Sequence, residues 1–359
     1  MMKMGFRWYG EGNDSVTLEQ IKQIPDTTEV VWALHHKAAG EVWTKDEIAV
    51  IEKQIKGAGL NMSVVESVNI HEDIKLGLPS RDAYIEAYIE TLRNLAPFGV
   101  KVVCYNFMPV FDWARTNLFE PLDDGSTALF FEKAKITDVD PQELVKKIMD
   151  GSGDYTMPGW EPERLAHLTK LFELYKNVTE EDLFSNLKYF LSRICPVCEE
   201  LDIKMAIHPD DPPFSIFGLP RIVTSRDNLK RLLELVPSKA NGLTLCTGSL
   251  GANPDNNIPA IVGEFLDRIY FMHIRNVKIW PNGNFIETAH KTSYGSIDVT
   301  GIMKILHDRK FSYTVRPDHG RHIWGEKSRP GYGLYDRALG IAYLWGLYDA
   351  FERDNPVDK

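Results

Sequence analysis

Uninterrupted apolar runs are short throughout the 359 residues, and none approaches the ~20 residues that a membrane-spanning helix needs. The opening Met1-Met-Lys-Met-Gly-Phe-Arg-Trp-Tyr-Gly10 also lacks the apolar core of a secretion signal, so the expectation is a cytoplasmic protein with no membrane partner. Basic blocks are absent too. Lys and Arg number 41 against 51 Asp and Glu, a net charge of -10, which argues against nucleic acid as a partner. Cysteine is scarce, and two of the four lie in Cys195-Pro-Val-Cys198. That pair sits inside a helical pattern from Leu183 to Glu200 instead of following a strand, so it reads as two half-buried thiols beside Pro196 and not as a redox motif. With no second pair at suitable spacing, a zinc knuckle is not expected either. Low-complexity segments and internal repeats beyond a strand-helix rhythm are missing.

What is present is a large apolar fraction arranged in short runs. Hydrophobic residues make up 43% and charged residues 26%, ordinary for a soluble chain with a sizeable core. Eight runs read as strands: Gly5 to Tyr9, Glu29 to His36, Asn61 to Ser67, Val100 to Phe107, and the runs ending at His208, Cys246, His273 and Arg316. Helical patterns separate them, among them Thr44 to Ala58 with Thr44 as N-cap, Arg81 to Phe98, and a closing helix from Asp336 to Phe351. Apolar runs that do not alternate indicate strands buried on both faces, hence a parallel sheet covered by helices. Eight strands and eight helices are the parts of a single (β/α)8 TIM barrel over residues 1–359. The stretch 108–179 is too long for an ordinary connection and reads as an insertion between the fourth and fifth strands, with one or two helices near the barrel mouth.

Active sites of such barrels form at the carboxyl ends of the strands. His208, Cys246, His273 and Asp318 all occupy that position on consecutive strands, and together they supply two imidazoles, a thiolate and a carboxylate for one divalent metal. A single strand-end histidine is more often a polar core residue; four ligand types converging on one point are harder to dismiss. The set suits Zn2+ or Fe2+, and Mn2+ if oxygen ligands are added. Arg7, His35, His36, Lys37, Glu66, Asn106, Arg275 and Arg316 also follow apolar runs. Of these, Arg7, His36, Asn106, Arg275 and Arg316 are the candidates for binding substrate, and the cationic ones make a pocket suited to a small anion. A homo-oligomer remains open.

Many segments in order resemble the mannonate dehydratase family: Phe6-Arg-Trp-Tyr-Gly, Ala33-Leu-His-His, Val64-Val-Glu-Ser-Val, Cys104-Tyr-Asn-Phe-Met-Pro-Val, His208-Pro-Asp-Asp-Pro-Pro, Cys246-Thr-Gly-Ser, Arg316-Pro-Asp-His-Gly and Pro330-Gly-Tyr. The resemblance implies a xylose-isomerase-like TIM barrel, a metal that is usually manganese, and dehydration of D-mannonate, a small anionic sugar acid, to 2-keto-3-deoxy-D-gluconate in hexuronate breakdown. It also implies that His208, Cys246, His273 and Asp318 hold the metal and that His319 and Tyr332 are the acid-base pair. Ordinary acidities make the imidazole the base and the phenol the acid. A metal-dependent sugar isomerase or epimerase would share the barrel and ligands, and a sensor without turnover would leave His319 and Tyr332 without a role.

Overall fold

The computed structural model describes residues 2–137 and 168–356. Neighbouring residues of the strands fall into different apolar clusters. Val31, Val64, Val102, Cys104, Ala206 and Phe271 pack together in one, while Val30, Val65, Val103, Met205 and Met272 belong to the larger core. Successive side chains of a strand point to opposite faces, so two buried faces require the unbroken apolar runs seen in the sequence.

The eight strands are Lys3–Arg7, Thr27–Trp32, Asn61–Glu66, Val102–Tyr105, Lys204–Ile207, Asn241–Cys246, Ile269–Ile274 and Thr314–Pro317. Each pairs in parallel with its neighbour, and the first pairs with the eighth, closing the barrel. Register sets Cys246 beside His273 and His273 beside Arg316 at the carboxyl end. Helices begin where polar caps stop the strand-to-helix connections. Thr44 and Thr179 each form a capping box, with Glu47 and Asp182, at the starts of Lys45–Gly57 and Glu180–Leu201. The second of these helices runs through Pro196, and Cys195 and Cys198 are fully buried on it, not half-buried. No helix among the described residues is long and apolar enough to cross a membrane.

The long connection after the fourth strand holds more than the expected helices. Of residues 108–179, those from 138 to 167 lie outside the described residues. The described part contains helices Lys133–Thr137 and Leu168–Tyr175 and also a hairpin, Asn117–Pro121 with Thr127–Phe131. A second hairpin, Asn276–Ile279 with Phe285–Thr288, follows the seventh barrel strand, and the two join in one four-stranded antiparallel sheet. Phe131 and Phe285 stack at the join with ring centroids 5.0 Å apart. Leu118 and Ala128-Leu-Phe-Phe131, flanking the turn Asp123-Asp-Gly-Ser, are the hairpin signal that helical expectation obscured.

Barrel closure leaves little room between the sixth and seventh strands. A Cβ on Gly242 would lie 2.2 Å from the Tyr270 ring and 2.6 Å from the backbone oxygen of Arg268. Gly242→Ala should therefore destabilise the fold by about 1–3 kcal/mol, read as a lower denaturation midpoint. An unchanged midpoint would mean that the strands separate freely at this point.

Candidate active site

Four strand ends deliver the ligand-type side chains to one place. The donor atoms of His208, Cys246 and His273 lie within 4.8 Å of one another. His208 Nε2 is 3.2 Å from His273 Nδ1, Cys246 Sγ is 3.3 Å from Asp318 Oδ2, and His273 Nδ1 is 3.7 Å from Asp318 Oδ1. Donors bound tetrahedrally at the usual Zn–N and Zn–S lengths are about 3.3–3.8 Å apart, so His208, Cys246 and His273 could hold a single divalent ion, with Asp318 beside two of them. Their outer nitrogens also face acceptors, as those of metal-binding imidazoles do. His208 Nδ1 lies 2.7 Å from the Pro209 carbonyl, and His273 Nε2 lies 3.4 Å from the Glu66 carboxylate, which turns Nε2 of the first and Nδ1 of the second inward. Ser249 donates to Cys246 Sγ through its hydroxyl at 3.1 Å and its backbone N–H at 3.5 Å.

Around this cluster runs a buried lattice of arginines and carboxylates. Arg316 binds both oxygens of Glu66 at 2.8 and 3.1 Å and lies 3.0 Å from Asp318. Arg275 reaches Asp211 at 2.9 Å, Glu287 at 2.6 Å and Asp318 at 3.2 Å. Arg115 donates to both oxygens of Asp211 and, at 2.8 Å, to Glu287. Burial alone would push these carboxyls up. Arg316 and His273 outweigh it at Glu66, and His319, Arg316 and Arg275 at Asp318, holding both well below the usual range. His319, Arg275 and Arg115 do the same at Glu287 and hold it at about 2.

His319, one residue beyond Asp318, meets Tyr332 from the loop after it, with Nε2 2.9 Å from the phenol oxygen. Gly320 N–H donates to the Gly331 carbonyl at 2.8 Å and ties the two segments together. Gly331 has φ +79°, and a Cβ there would sit 2.9 Å from Leu129 and 3.3 Å from His319, so the close approach suits glycine alone. Arg337 of the last helix, Tyr335–Asp354, clamps the loop by donating to the Tyr332, Gly333 and Arg7 carbonyls. Burial, Tyr9 and Asp318 push the Tyr332 phenol well up.

These groups face a cleft of about 520 Å³ of empty space, lined by Arg7, Glu66, Asn106, His208, Asp318 and Tyr332 among others. Arg7 is 2% exposed, and its Nε and Nη1 have no hydrogen-bond partner among the described residues; the nearest carboxylate, Glu66, is 3.9 Å away. Asn106 uses its Oδ1 on the Met108 N–H at 3.2 Å and keeps its amide nitrogen for the cleft wall. Of the other residues singled out in the sequence, Arg275 and Arg316 are engaged mainly by carboxylates. His36 does not join the cluster: its ring is largely exposed and lies 3.2 Å from Glu47, to which Lys37 also turns. His35 lines an adjoining cavity, where burial, Arg7 and Arg329 push its imidazole well down. Asp211, Arg115 and Glu287 join the site without being candidates in the sequence. Asp211 lies in the His208-Pro-Asp-Asp motif, whereas Arg115 and Glu287 look like ordinary loop charges in one sequence.

A parallel eight-stranded barrel gathering two imidazoles, a thiol and a carboxylate at its strand ends defines a TIM barrel of the xylose-isomerase-like class with a group that could hold a metal. A xylose isomerase domain protein from Planctomyces limnophilus shares that fold with a TM-score of 0.55 at 10% identity, over 98% of each chain. The D-mannonate dehydratase (UxuA) family model matches residues 2–357. The "Mannonate dehydratase 1" of Bacillus licheniformis is 63% identical over 353 residues, covering 98% of this chain and 96% of the relative. The crystal structure of mannonate dehydratase from Streptococcus suis serotype 2 superposes with a TM-score of 0.90 at 46% identity, over 99% of this chain and 96% of that one. The chain belongs to the D-mannonate dehydratase family, and with it to the carbon-oxygen lyases.

The lattice has a consequence for acid stability. Glu287 is held at about 2 against an ordinary 4.5, and Glu66, Asp211 and Asp318 are also lowered. A depressed carboxyl contributes stability that is fully present above its unfolded value and lost as pH falls through the folded one. The denaturation midpoint should therefore drop steeply on acidification from about pH 5 to about pH 2. A midpoint constant over that range would show that the arginines do not hold these groups ionised.

Proposed function

We propose that the protein dehydrates D-mannonate to 2-keto-3-deoxy-D-gluconate and water, with one divalent cation per chain, in the cytoplasmic breakdown of hexuronates. The observation that carries this reading is the His319–Tyr332 pair standing directly beside the ligand cluster, in a cleft with an unsatisfied arginine. The names of the relatives supply the substrate. Mn2+ is the proposed ion, with Fe2+ and Zn2+ as the alternatives that the donor set accepts.

The reaction removes a weakly acidic proton from C2 and expels hydroxide, a poor leaving group, from C3. A divalent cation held by His208, Cys246, His273 and Asp318 supplies Lewis acidity for the negative charge that develops on the substrate. His319 Nε2 takes the C2 proton, and Tyr332 gives its phenolic proton to the departing C3 hydroxyl, which leaves as water. Their 2.9 Å separation matches groups on adjacent carbons, and it lets the proton gained by His319 pass on to the phenolate. The pair then returns to its starting state, and the enol left behind tautomerises to the 2-keto acid. A phenol pushed up by burial stays protonated until the hydroxyl needs its proton. Arg7 anchors the substrate carboxylate with its two unpaired nitrogens. Arg275 and Arg316 act on the site indirectly, by keeping Asp318 and Glu66 ionised and in place.

Metal-loaded protein given a panel of aldonates should form a 2-keto-3-deoxy product from D-mannonate and none from uncharged D-mannose. Chelation should abolish turnover reversibly. A Cys246→Ser, His208→Ala double variant should lose its metal by elemental analysis. Isomerisation without loss of water, or undiminished metal in that variant, would overturn the reading.

His319→Asn and Tyr332→Phe should each lower turnover by about 10²–10⁴-fold. The first should also stop exchange of the C2 hydrogen with solvent deuterium. Near-normal turnover by Tyr332→Phe with its metal retained would remove the phenol from the mechanism.

A further inference from the structure

Glu287 is fully buried, lies outside the barrel on the strand Phe285–Thr288, and is neither a ligand nor a lining residue of the cleft. Its Oε1 is nevertheless 2.7 Å from Nδ1 of His319. We propose that Glu287 is a positioning residue that keeps the proton on Nδ1 of His319, so that Nε2 is the bare nitrogen presented to Tyr332 and to substrate. This rests on the reading of His319 and Tyr332 as the proton-transfer pair.

Three nitrogens converge on that one oxygen. Arg275 Nη1 approaches it at 2.6 Å and Arg115 Nη2 at 2.8 Å, while Oε2 has no partner among the described residues. Arg275 Nη1 is also 3.0 Å from His319 Nδ1, which by distance alone could make the ring nitrogen an acceptor. That assignment fails on chemistry. A bare Nδ1 would aim its lone pair at a carboxylate oxygen 2.7 Å away, in a region closed to water, and two arginines keep that carboxylate charged. A protonated Nδ1 removes the conflict. It gives Oε1 its third donor, leaves Arg275 Nη1 donating to Glu287, and turns the Nε2 lone pair to the Tyr332 hydroxyl.

The position of Glu287 is set away from the strand ends that carry the other groups. Its strand pairs with Asn276–Ile279 on one side, where Glu287 faces Val277, and with Thr127–Phe131 on the other. Arg115, from the connection that carries that hairpin, grips the same carboxylate. The antiparallel sheet therefore orients the imidazole that the barrel supplies.

The test uses the whole metal-loaded enzyme. In a 15N-histidine spectrum of the zinc-loaded wild type, His319 should carry its hydrogen on Nδ1. Glu287→Met, of similar length but without an acceptor, should lower kcat at least about 100-fold while KM stays within about threefold and metal content is unchanged. Glu287→Gln should recover most of that loss, because three converging donors select its amide oxygen for the Oε1 place and leave the amide nitrogen at the partnerless Oε2 place. A merely structural role would lower stability or metal content without splitting kcat from KM. A bare Nδ1 in the spectrum, wild-type kcat in Glu287→Met, or a Gln variant no better than Met would each overturn the proposal. An active His319→Asn protein would instead sink the acid-base reading itself, whereas an inactive one beside a fully active Glu287→Met sinks this inference alone.

Discussion

The arginine-carboxylate lattice at the carboxyl end of the barrel is the constraint on which the site depends. Taking an ion pair out of water is costly, and a buried pair is weak grounds for stability unless the geometry is good and the remaining donors are satisfied. Here Arg316 forks onto Glu66 and Arg115 onto Asp211, which is the bidentate arrangement that recovers most of that cost. The return is orientation. Asp318 is braced by Arg316 and Arg275, His273 faces Glu66, and His319 faces Glu287, so three groups of the reacting cluster are each backed by a member of the lattice.

That lattice also explains why the barrel alone would make an incomplete site. Glu66, Asp318, Arg275 and Arg316 come from strand ends, but Arg115 and Glu287 come from two different connections. The hairpins of those connections meet in one sheet, with the stacked Phe131 and Phe285 at the seam. Apolar packing at that seam, with Phe285 itself under the Arg115 guanidinium at 4.8 Å, thus fixes the separation of Arg115 and Glu287, and through them the angle of the His319 ring.

How much of this is legible in the sequence follows from where each residue gets its environment. The eight strands announce themselves because burial on both faces demands continuous apolar runs, and the ligands because they interrupt those runs at one end. Thr44 is legible for a local reason as well, since a cap and its Glu47 partner are three residues apart. Arg275 and Arg316 are visible as strand-end charges, yet their meaning depends on Glu287, Asp211 and Glu66, which are distant in sequence. A positive pocket was the natural expectation from the arginines alone. The carboxylates that neutralise most of it could not be paired with them by spacing, because tertiary structure makes the pairs. His36 fails for the complementary reason: it lies beyond the last paired residue of its strand, Trp32, and the chain there has already turned toward Glu47.

Unmatched donors narrow which cation is left for substrate. A buried donor without a partner costs roughly 1–3 kcal/mol, and a charged one more, so evolution tolerates it where a ligand will supply the acceptor. Arg275 and Arg316 direct most of their donors to carboxylates within the protein, and the one Arg275 nitrogen without a hydrogen bond, Nε, lies 3.2 Å from Asp318. Arg7 does not: two of its nitrogens are buried and unmatched, and its guanidinium lies 4.9 Å from the ring centre of Tyr9, whose hydroxyl is unmatched as well. Both residues line the cleft that Tyr332 and Asp318 share. An anion bearing hydroxyl groups satisfies both demands at once, the carboxylate on Arg7 and an oxygen on Tyr9, whereas an uncharged sugar would leave the arginine with only Glu66, 3.9 Å away, as countercharge. On the proposed function, selection for an aldonate over an aldose rests on the unsatisfied groups of the first strand and its loop, away from the atoms proposed to carry out the elimination.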